Sequence, residues 1–69
     1  MQQTLVGKNT KRIIKERKIK QKDVAIICGY DPKDFSQMLN GYLSIRDNDI
    51  IKIKEGLNVE FNDLFRIEK

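Results

Sequence analysis

The sequence predicts an all-α protein in which residues 1–69 form one domain of five helices. Apolar residues recur at intervals of three and four positions, which is the periodicity of an amphipathic helix. Glycine, asparagine and an Asp-Pro pair separate these periodic segments, as is typical of helices joined by short turns. The sequence has no alternating strand pattern, internal repeat or low-complexity linker, so a helical domain without a sheet is expected.

The first helix is predicted from about residue 8 to residue 18. We expect Ile19 to fill the core just after this helix ends. The residues expected along one side of the helix are Val6, Thr10, Ile13, Ile14 and Arg17.

Residues 20–41 predict two short helices joined by a tight turn, and they are the most informative part of the chain. Gln21 opens the second helix, and Gly29 ends it in the left-handed conformation that glycine adopts at little cost. Asp31 precedes the third helix as its N-cap, and Pro32 occupies the first helical position. Asn40-Gly41 closes the third helix. The apolar residues expected to face the core are Val24, Ala25 and Cys28 in the second helix, and Phe35, Met38 and Leu39 in the third.

The C-terminal third of the chain predicts a loop and two further helices. In the loop, residues 41–47, Leu43 and Ile45 are expected to pack on the core. The fourth helix is predicted over residues 47–56 with Asp47 and Asp49 at its start, where carboxylates suit capping and the helix dipole. A short fifth helix is expected over residues 61–66. In the fourth helix the residues expected to be buried are Ile50, either Ile51 or Ile53, and Leu57, and Asn58 follows in the left-handed region. The fifth helix is expected to present Phe61, Leu64 and Phe65.

Size and composition argue against several classes of protein. A chain of 69 residues with a single cysteine and no histidine offers no internal disulfide, no metal-ligand set and no arrangement for nucleophilic catalysis. Cys28 is therefore expected to act as a small buried hydrophobe. No apolar run approaches the roughly 18 residues of a membrane span, and no signal-peptide pattern opens the chain. We expect a cytoplasmic protein that is not an enzyme and has no cofactor.

Two short helices joined by a glycine-containing turn are typical of the helix-turn-helix motif, in which the second helix enters a DNA major groove. The order and spacing of the residues from Gly7 to Phe65 resemble the Xre/Cro type of phage and plasmid repressors. This resemblance implies a transcriptional regulator, most often a repressor that occupies a short two-fold operator. The marks that carry it are Ile19-Lys20-Gln21, Val24-Ala25, Cys28-Gly29, Phe35, Met38, Asn40-Gly41 and the segment 57–65, LNVEFNDLF.

Charge is distributed unevenly along the chain. Residues 1–22 carry eight lysines and arginines against one glutamate, whereas residues 23–69 carry six basic and nine acidic residues. A solvated, lysine-rich helix is the simplest interpretation of such a run. Beside a helix-turn-helix motif, however, the asymmetry favours a surface that meets a polyanion.

The predicted DNA contacts fall into two groups. The exposed side of the third helix is expected to reach base edges through Lys33, which suits guanine, and Gln37, which suits adenine. Pro32 departs from the family, which often has a base-reading glutamine there, so only apolar contact is expected from it. Lys33 and Gln37 also fit a plain solvated helix surface. The complete base-contact set is Pro32, Lys33, Ser36 and Gln37; the phosphate-contact set is Lys20, Gln21, Lys22, Asn40 and Arg46, in which the roles of Gln21 and Asn40 follow from the resemblance. Lys11 and Arg12 are possible further contributors of positive charge.

Other functions compete with a DNA-binding repressor. Ile26 and Ile27 stand where the family usually has polar residues, so they are either tolerated apolar residues or a contact surface for another protein. The second interpretation predicts an antitoxin that binds a toxin and represses its own operon. A nucleoid-type protein without sequence preference is a third candidate. For the repressor we expect a homodimer, at least on DNA, with Phe61, Phe65 and Ile67 as candidate interface residues.

Overall fold

Five α-helices form the protein in the computed structural model, which describes residues 3–67. Within that range there is no strand, so the predicted all-α class with five helices is confirmed. Residues 1, 2, 68 and 69 of the predicted domain lie outside the described residues. The helices are α1 (Leu5–Glu16), α2 (Gln21–Cys28), α3 (Pro32–Leu39), α4 (Asp47–Leu57) and α5 (Phe61–Leu64).

Helix α1 begins and ends earlier than the sequence predicted. The hydroxyl of Thr4 accepts a hydrogen bond from the backbone N–H of Gly7 at 3.0 Å, so Thr4 acts as the N-cap and the helix starts at Leu5. At the other end Lys18 has a positive φ of 56°, which no helix can continue through. The predicted range, about residues 8–18, therefore lay too far towards the C-terminus.

The core lies where α1, α2, α3 and α4 meet, and α5 covers it at one end. Ile53 is completely buried whereas Ile51 is 43% exposed, which decides between the two candidates in α4. Tyr30, Ile45, Ile50 and Val59 pack against the edge of this core. The buried apolar residues are Val6, Ile13, Ile14, Val24, Ala25, Cys28, Phe35, Met38, Leu39, Ile53, Leu57 and Leu64.

Two residues that were predicted to pack in the core are exposed instead. Ile19 is 42% exposed, because the chain turns away from α1 at Lys18 and carries the side chain to the surface. Leu43 is 41% exposed. Its backbone N–H and that of Tyr42 both bond to the carbonyl of Gln37, so the loop wraps around the end of α3 instead of inserting Leu43. Of the two residues expected to hold the loop, only Ile45 packs on the core.

Helix α4 passes close to α2 at Gly56. A Cβ at this position would lie 2.4 Å from Sγ of Cys28, a distance that no packed side chain tolerates. The helix continues through Gly56 to Leu57 and then ends at Asn58, whose φ of 56° confirms the predicted left-handed residue. Gly56 therefore permits close helix packing and does not mark the helix end.

Helix α5 is two residues shorter than predicted. The buried side-chain amide of Asn9 donates to the carbonyls of Leu64 at 2.7 Å and Arg66 at 2.9 Å. These bonds satisfy carbonyl groups at the C-terminal end of α5 and fix the following segment against α1. Of the four apolar residues at this end, only Leu64 is buried, while Phe61, Phe65 and Ile67 remain exposed.

Candidate nucleic-acid interface

The turn between α2 and α3 has the geometry that its glycine predicted. Gly29 has φ 89° and ψ 27°, in the left-handed region. The N–H of Gly29 bonds to the carbonyl of Ile26 at 3.0 Å, and that of Tyr30 to Ala25 at 2.8 Å. Both bonds satisfy carbonyls at the end of α2 and turn the chain sharply towards α3.

The start of α3 is capped as expected. The carboxylate of Asp31 accepts a hydrogen bond from the backbone N–H of Lys33 at 3.0 Å, and Pro32 occupies the first turn. A carboxylate here also opposes the positive end of the helix dipole. The local sequence Asp-Pro therefore fixes both where α3 begins and which residues follow on its exposed side.

Tyr30 anchors the turn to α4, a link that the sequence analysis missed. Its ring stacks on Phe35 with 5.7 Å between the ring centroids, and its hydroxyl donates to the carboxylate of Asp49. Burial and this hydrogen bond raise the pKa of Tyr30 well above its ordinary value. Burial opposes ionisation of Asp49, but the bonds from Tyr30 and from the N–H of Arg46, with Lys52 nearby, hold the pKa of Asp49 below its ordinary value.

Helix α3 divides into a buried and an accessible side. Phe35, Met38 and Leu39 are buried against α1 and α2, as predicted. The predicted base contacts lie on the remaining surface, where Pro32 and Lys33 are exposed and Ser36 and Gln37 are half-buried. Asp34 is exposed on α3 as well. The helix therefore offers a polar surface that includes one carboxylate.

A hydrogen-bonded row of side chains joins α1 to the C-terminal end of α3. The ammonium of Lys11 donates to Oδ1 of Asn40 at 2.7 Å, and Nδ2 of Asn40 lies 3.4 Å from Oγ of Ser36. The side-chain amide of Gln3 donates to the carbonyl of Leu39 at 2.9 Å. Lys11 therefore lies beside a predicted phosphate contact and a predicted base contact.

Close backbone packing brings these side chains together. A Cβ on Gly7 would lie 2.8 Å from the carbonyl oxygen of Leu39, so α1 meets α3 where only glycine fits. The residues involved are more than 25 positions apart in the chain, as in the pair Lys11 and Asn40. Sequence spacing within one helix could not have revealed such a contact.

The other predicted phosphate contacts are divided between two places. Gln21 is the first residue of α2 and shares the lining of a surface groove with Lys11 and Lys15 of α1. Lys20 and Lys22 flank it and are exposed. Arg46 is exposed at the start of α4, where it lines a separate depression with Asp47 and Asn48. The structure thus places Gln21 near α1 and Arg46 in a separate surface depression.

The described residues offer no group of three or more metal-ligating side chains. Cys28 is buried, and desolvation raises the pKa of its thiol, so the side chain packs as a neutral group. Among residues 3–67 no helix has the length and apolar character needed to cross a membrane.

Comparison with known proteins adds no relative: no family model matches the chain, and no curated protein or solved structure is significantly similar to it. The resemblance to the Xre/Cro repressors therefore stays a prediction from the sequence.

Proposed function

We propose that the protein is a sequence-specific DNA-binding regulator of transcription, with a repressor-like helix-turn-helix fold, and that it represses by occupying a short operator. The observation that carries this proposal is the division of α3. Its apolar side is fixed against α1 and α2, and its polar side is free to enter a major groove. A short capped turn holds it in that position through Gly29, Asp31 and Tyr30.

Base readout is assigned to the accessible side of α3. Lys33 donates to N7 and O6 of guanine, Gln37 forms a paired hydrogen bond with adenine, and Ser36 adds an adaptable hydroxyl. Pro32 contributes apolar contact, which suits a thymine methyl group. Asp34 joins this set, because an exposed carboxylate on the same helix accepts from the amino group of cytosine and repels phosphate.

Phosphate contacts are assigned to groups around α3. Gln21 sits at the N-terminus of α2, where free backbone N–H groups also favour an anion. Asn40 and Lys11 form a hydrogen-bonded pair at the other end of the recognition helix. Lys20, Lys22 and Arg46 add exposed positive charge. Because these contacts release counterions, affinity should fall steeply as salt rises.

A homodimer on DNA belongs to this proposal. Phe65 is 47% exposed and Ile67 is 73% exposed, whereas Leu64, which precedes Phe65 in the chain, is buried. Two copies joined through these side chains would place their α3 helices about one DNA turn, roughly 34 Å, apart. Sedimentation with increasing operator should then give two copies per duplex, and a saturated complex with one copy would refute the dimer.

The test of the proposed function is selection of bound sequences from random duplex DNA at about 0.15 M salt. A regulator of this kind should enrich a short motif, repeated with two-fold symmetry if the dimer is correct. A nucleoid-type protein would instead bind all sequences with similar, salt-sensitive affinity. The absence of any bound duplex at low salt would reject both DNA-binding functions.

One observation favours a second candidate, an antitoxin that also regulates its own operon. Ile26 is 65% exposed and Ile27 is 67% exposed on α2, so both side chains are available to a protein partner. Co-purification of a small protein encoded beside this gene, lost in the double variant Ile26→Ser with Ile27→Ser, would support this candidate. A wild-type protein that purifies without such a partner when the neighbouring genes are co-expressed would count against it.

A further inference from the structure

A groove runs along the exposed side of α1. It has a volume of about 730 Å³ and reaches from Gln3 and Leu5 at the start of the helix to Ile19 and Gln21 beyond its end. The C-terminal segment borders it through Ile67. The hydrogen bonds from Asn9 to that segment fix this border in place.

Positive charges are spread along the whole length of the groove. Lys8, Lys11 and Lys15 of α1 line it, and Arg66 lies at its border. None of the described residues that line it is acidic. The charges are not gathered at one end, as a site for a ligand with a single anionic head would require. They suit a ligand whose negative charges are distributed along its length.

The groove also contains apolar side chains. Leu5, Ile14, Ile19 and Ile67 line it, and all except Ile14 are more than a third exposed to solvent. A polyanion such as a nucleic-acid backbone gains nothing from these contacts, because its surface towards the protein is phosphate and sugar. Covering them requires a partner that carries apolar groups between its acidic ones.

We propose that this groove binds an acidic amphipathic segment of another protein. The groove follows α1, whose twelve residues are about 18 Å long. That length accommodates about three turns of a helix with apolar residues on one side and carboxylates on the flanks. Lys8, Lys15 and Arg66 contact the carboxylates, and Leu5 and Ile19 cover the apolar stripe, so the occupant does not need the Ile67 side chain assigned to the dimer.

Such a segment would also exclude DNA. Gln21 and Lys11 line the groove and are the same residues to which phosphate contacts are assigned above. A peptide in the groove therefore occupies part of the DNA interface, and its acidic groups neutralise the charge that attracts the duplex. Binding of the peptide does not depend on the proposed function, whereas the competition with DNA rests on it.

The probe for the test is a synthetic peptide of about four helical turns, with leucine at helical spacing and glutamate on the flanks. A scrambled peptide of identical composition keeps the charge but loses the apolar stripe. Fluorescence anisotropy of the labelled peptides should show the amphipathic form binding at least about tenfold more tightly than the scrambled form. Equal affinities would reduce the groove to a nonspecific cationic surface and would overturn the proposal.

Variants of the protein locate the binding. Lys8→Glu combined with Lys15→Glu should weaken binding of the amphipathic peptide by more than about tenfold. Lys22→Glu with Lys33→Glu is the matched control, since it changes the charge equally at two exposed residues outside the groove lining. Ile19→Ser should weaken binding of the amphipathic peptide and leave binding of the scrambled peptide unaffected. Equal losses in the two charge-reversed variants, with helical circular dichroism retained, would overturn the assignment.

Other occupants give different outcomes. Preferential binding to vesicles of phosphatidylglycerol over the peptide, sensitive to Lys8→Glu with Lys15→Glu, would replace the proposal with a lipid site. Self-association abolished by the same variant would replace it with a contact between copies of this chain. If the peptide binds as proposed but no duplex binds at any salt, this inference stands and the proposed DNA-binding function fails.

Discussion

Helices α2 and α3 have equal lengths, eight residues each, and both pack on the same core, but they expose different chemistry. The outer surface of α3 is polar, with Lys33, Ser36 and Gln37. The outer surface of α2 carries Ile26 and Ile27, both about two-thirds exposed. The proposed base readout would account for the polar surface of α3 but gives no reason for the apolar surface of α2. The proposed DNA-binding function would therefore explain only part of the molecule's surface.

The largest expected effect separates the buried side of α3 from the exposed side of α2. Phe35→Ala removes a completely buried ring and should cost about 3–5 kcal/mol of unfolding free energy. Ile27→Ser should change the unfolding free energy by no more than about 0.5 kcal/mol, because Ile27 is already 67% exposed. Urea denaturation measures both. Similar losses for the two variants would mean that α2 is covered in a way the exposure of Ile27 does not reveal.

The second prediction concerns readout by α3. Lys33→Ala and Gln37→Ala should each cost about 1–3 kcal/mol at one base pair of the selected duplex, and relax preference there. Ile26→Ala is the control from α2 and should leave both affinity and preference unchanged. Binding titrations with single-base-pair variants of the duplex measure this. Unaltered preference in both α3 variants would remove this helix from readout.

The third prediction addresses the turn that orients α3 relative to α2. Gly29→Val should destabilise the domain by more than about 1 kcal/mol, because a β-branched residue is strained at a φ of 89°. The cost is conformational, since no atom beyond Gly29 and its two chain neighbours lies within 4 Å of where a Cβ would be. Gly29→Asn should therefore lose less stability, because asparagine tolerates the left-handed backbone region better than valine does. Thermal melts with equal losses for both substitutions would point to a steric cause.

The fourth prediction uses the pH dependence of the same turn. Tyr30→Phe removes the bond to Asp49 and should cost about 1 kcal/mol at neutral pH. Because folding lowers the pKa of Asp49, its contribution is complete above the ordinary value of 3.8 and disappears as pH falls through the lower folded value. The difference in unfolding free energy between wild type and Tyr30→Phe should therefore become smaller in acid. Tyr42→Phe, at an exposed position, should show no such difference at any pH.

The smallest expected effect distinguishes phosphate contacts from base contacts. Gln21→Ala and Asn40→Ala should each weaken DNA binding by about 0.5–1 kcal/mol for all duplexes alike, because phosphates carry no base information. Asn40→Ala also frees Lys11 from its 2.7 Å bond, so part of the loss should be sensitive to salt. A loss confined to one base pair would move either residue into the readout set.

The parts of the fold that depend on local chemistry could be predicted from the sequence. Gly29, Asp31 and Asn58 have the backbone geometry or cap expected of them, because each conformation is decided within a few residues. The predicted burial of Ile19 and Leu43 was wrong, because the burial of a side chain beyond a turn depends on the path that the chain takes after it.

The candidate site divides in the same way. The buried and accessible sides of α3 follow from helical periodicity and were predictable. The bonds from Lys11 to Asn40 and from Tyr30 to Asp49 join different helices, and nothing in local spacing indicates them. Only the packed arrangement of α1 on α3 and of the turn on α4 brings these residues together.

The most direct test of the central claim is a nuclear magnetic resonance titration of the labelled protein with the selected duplex. Readout by the polar side of α3 predicts that the amide signals of Lys33, Ser36 and Gln37 shift most, together with that of Gln21. The amides of Ile26 and Ile27 should move little, because the outer side of α2 stays free. Shifts centred on Ile26 and Ile27, with α3 unchanged, would contradict the account.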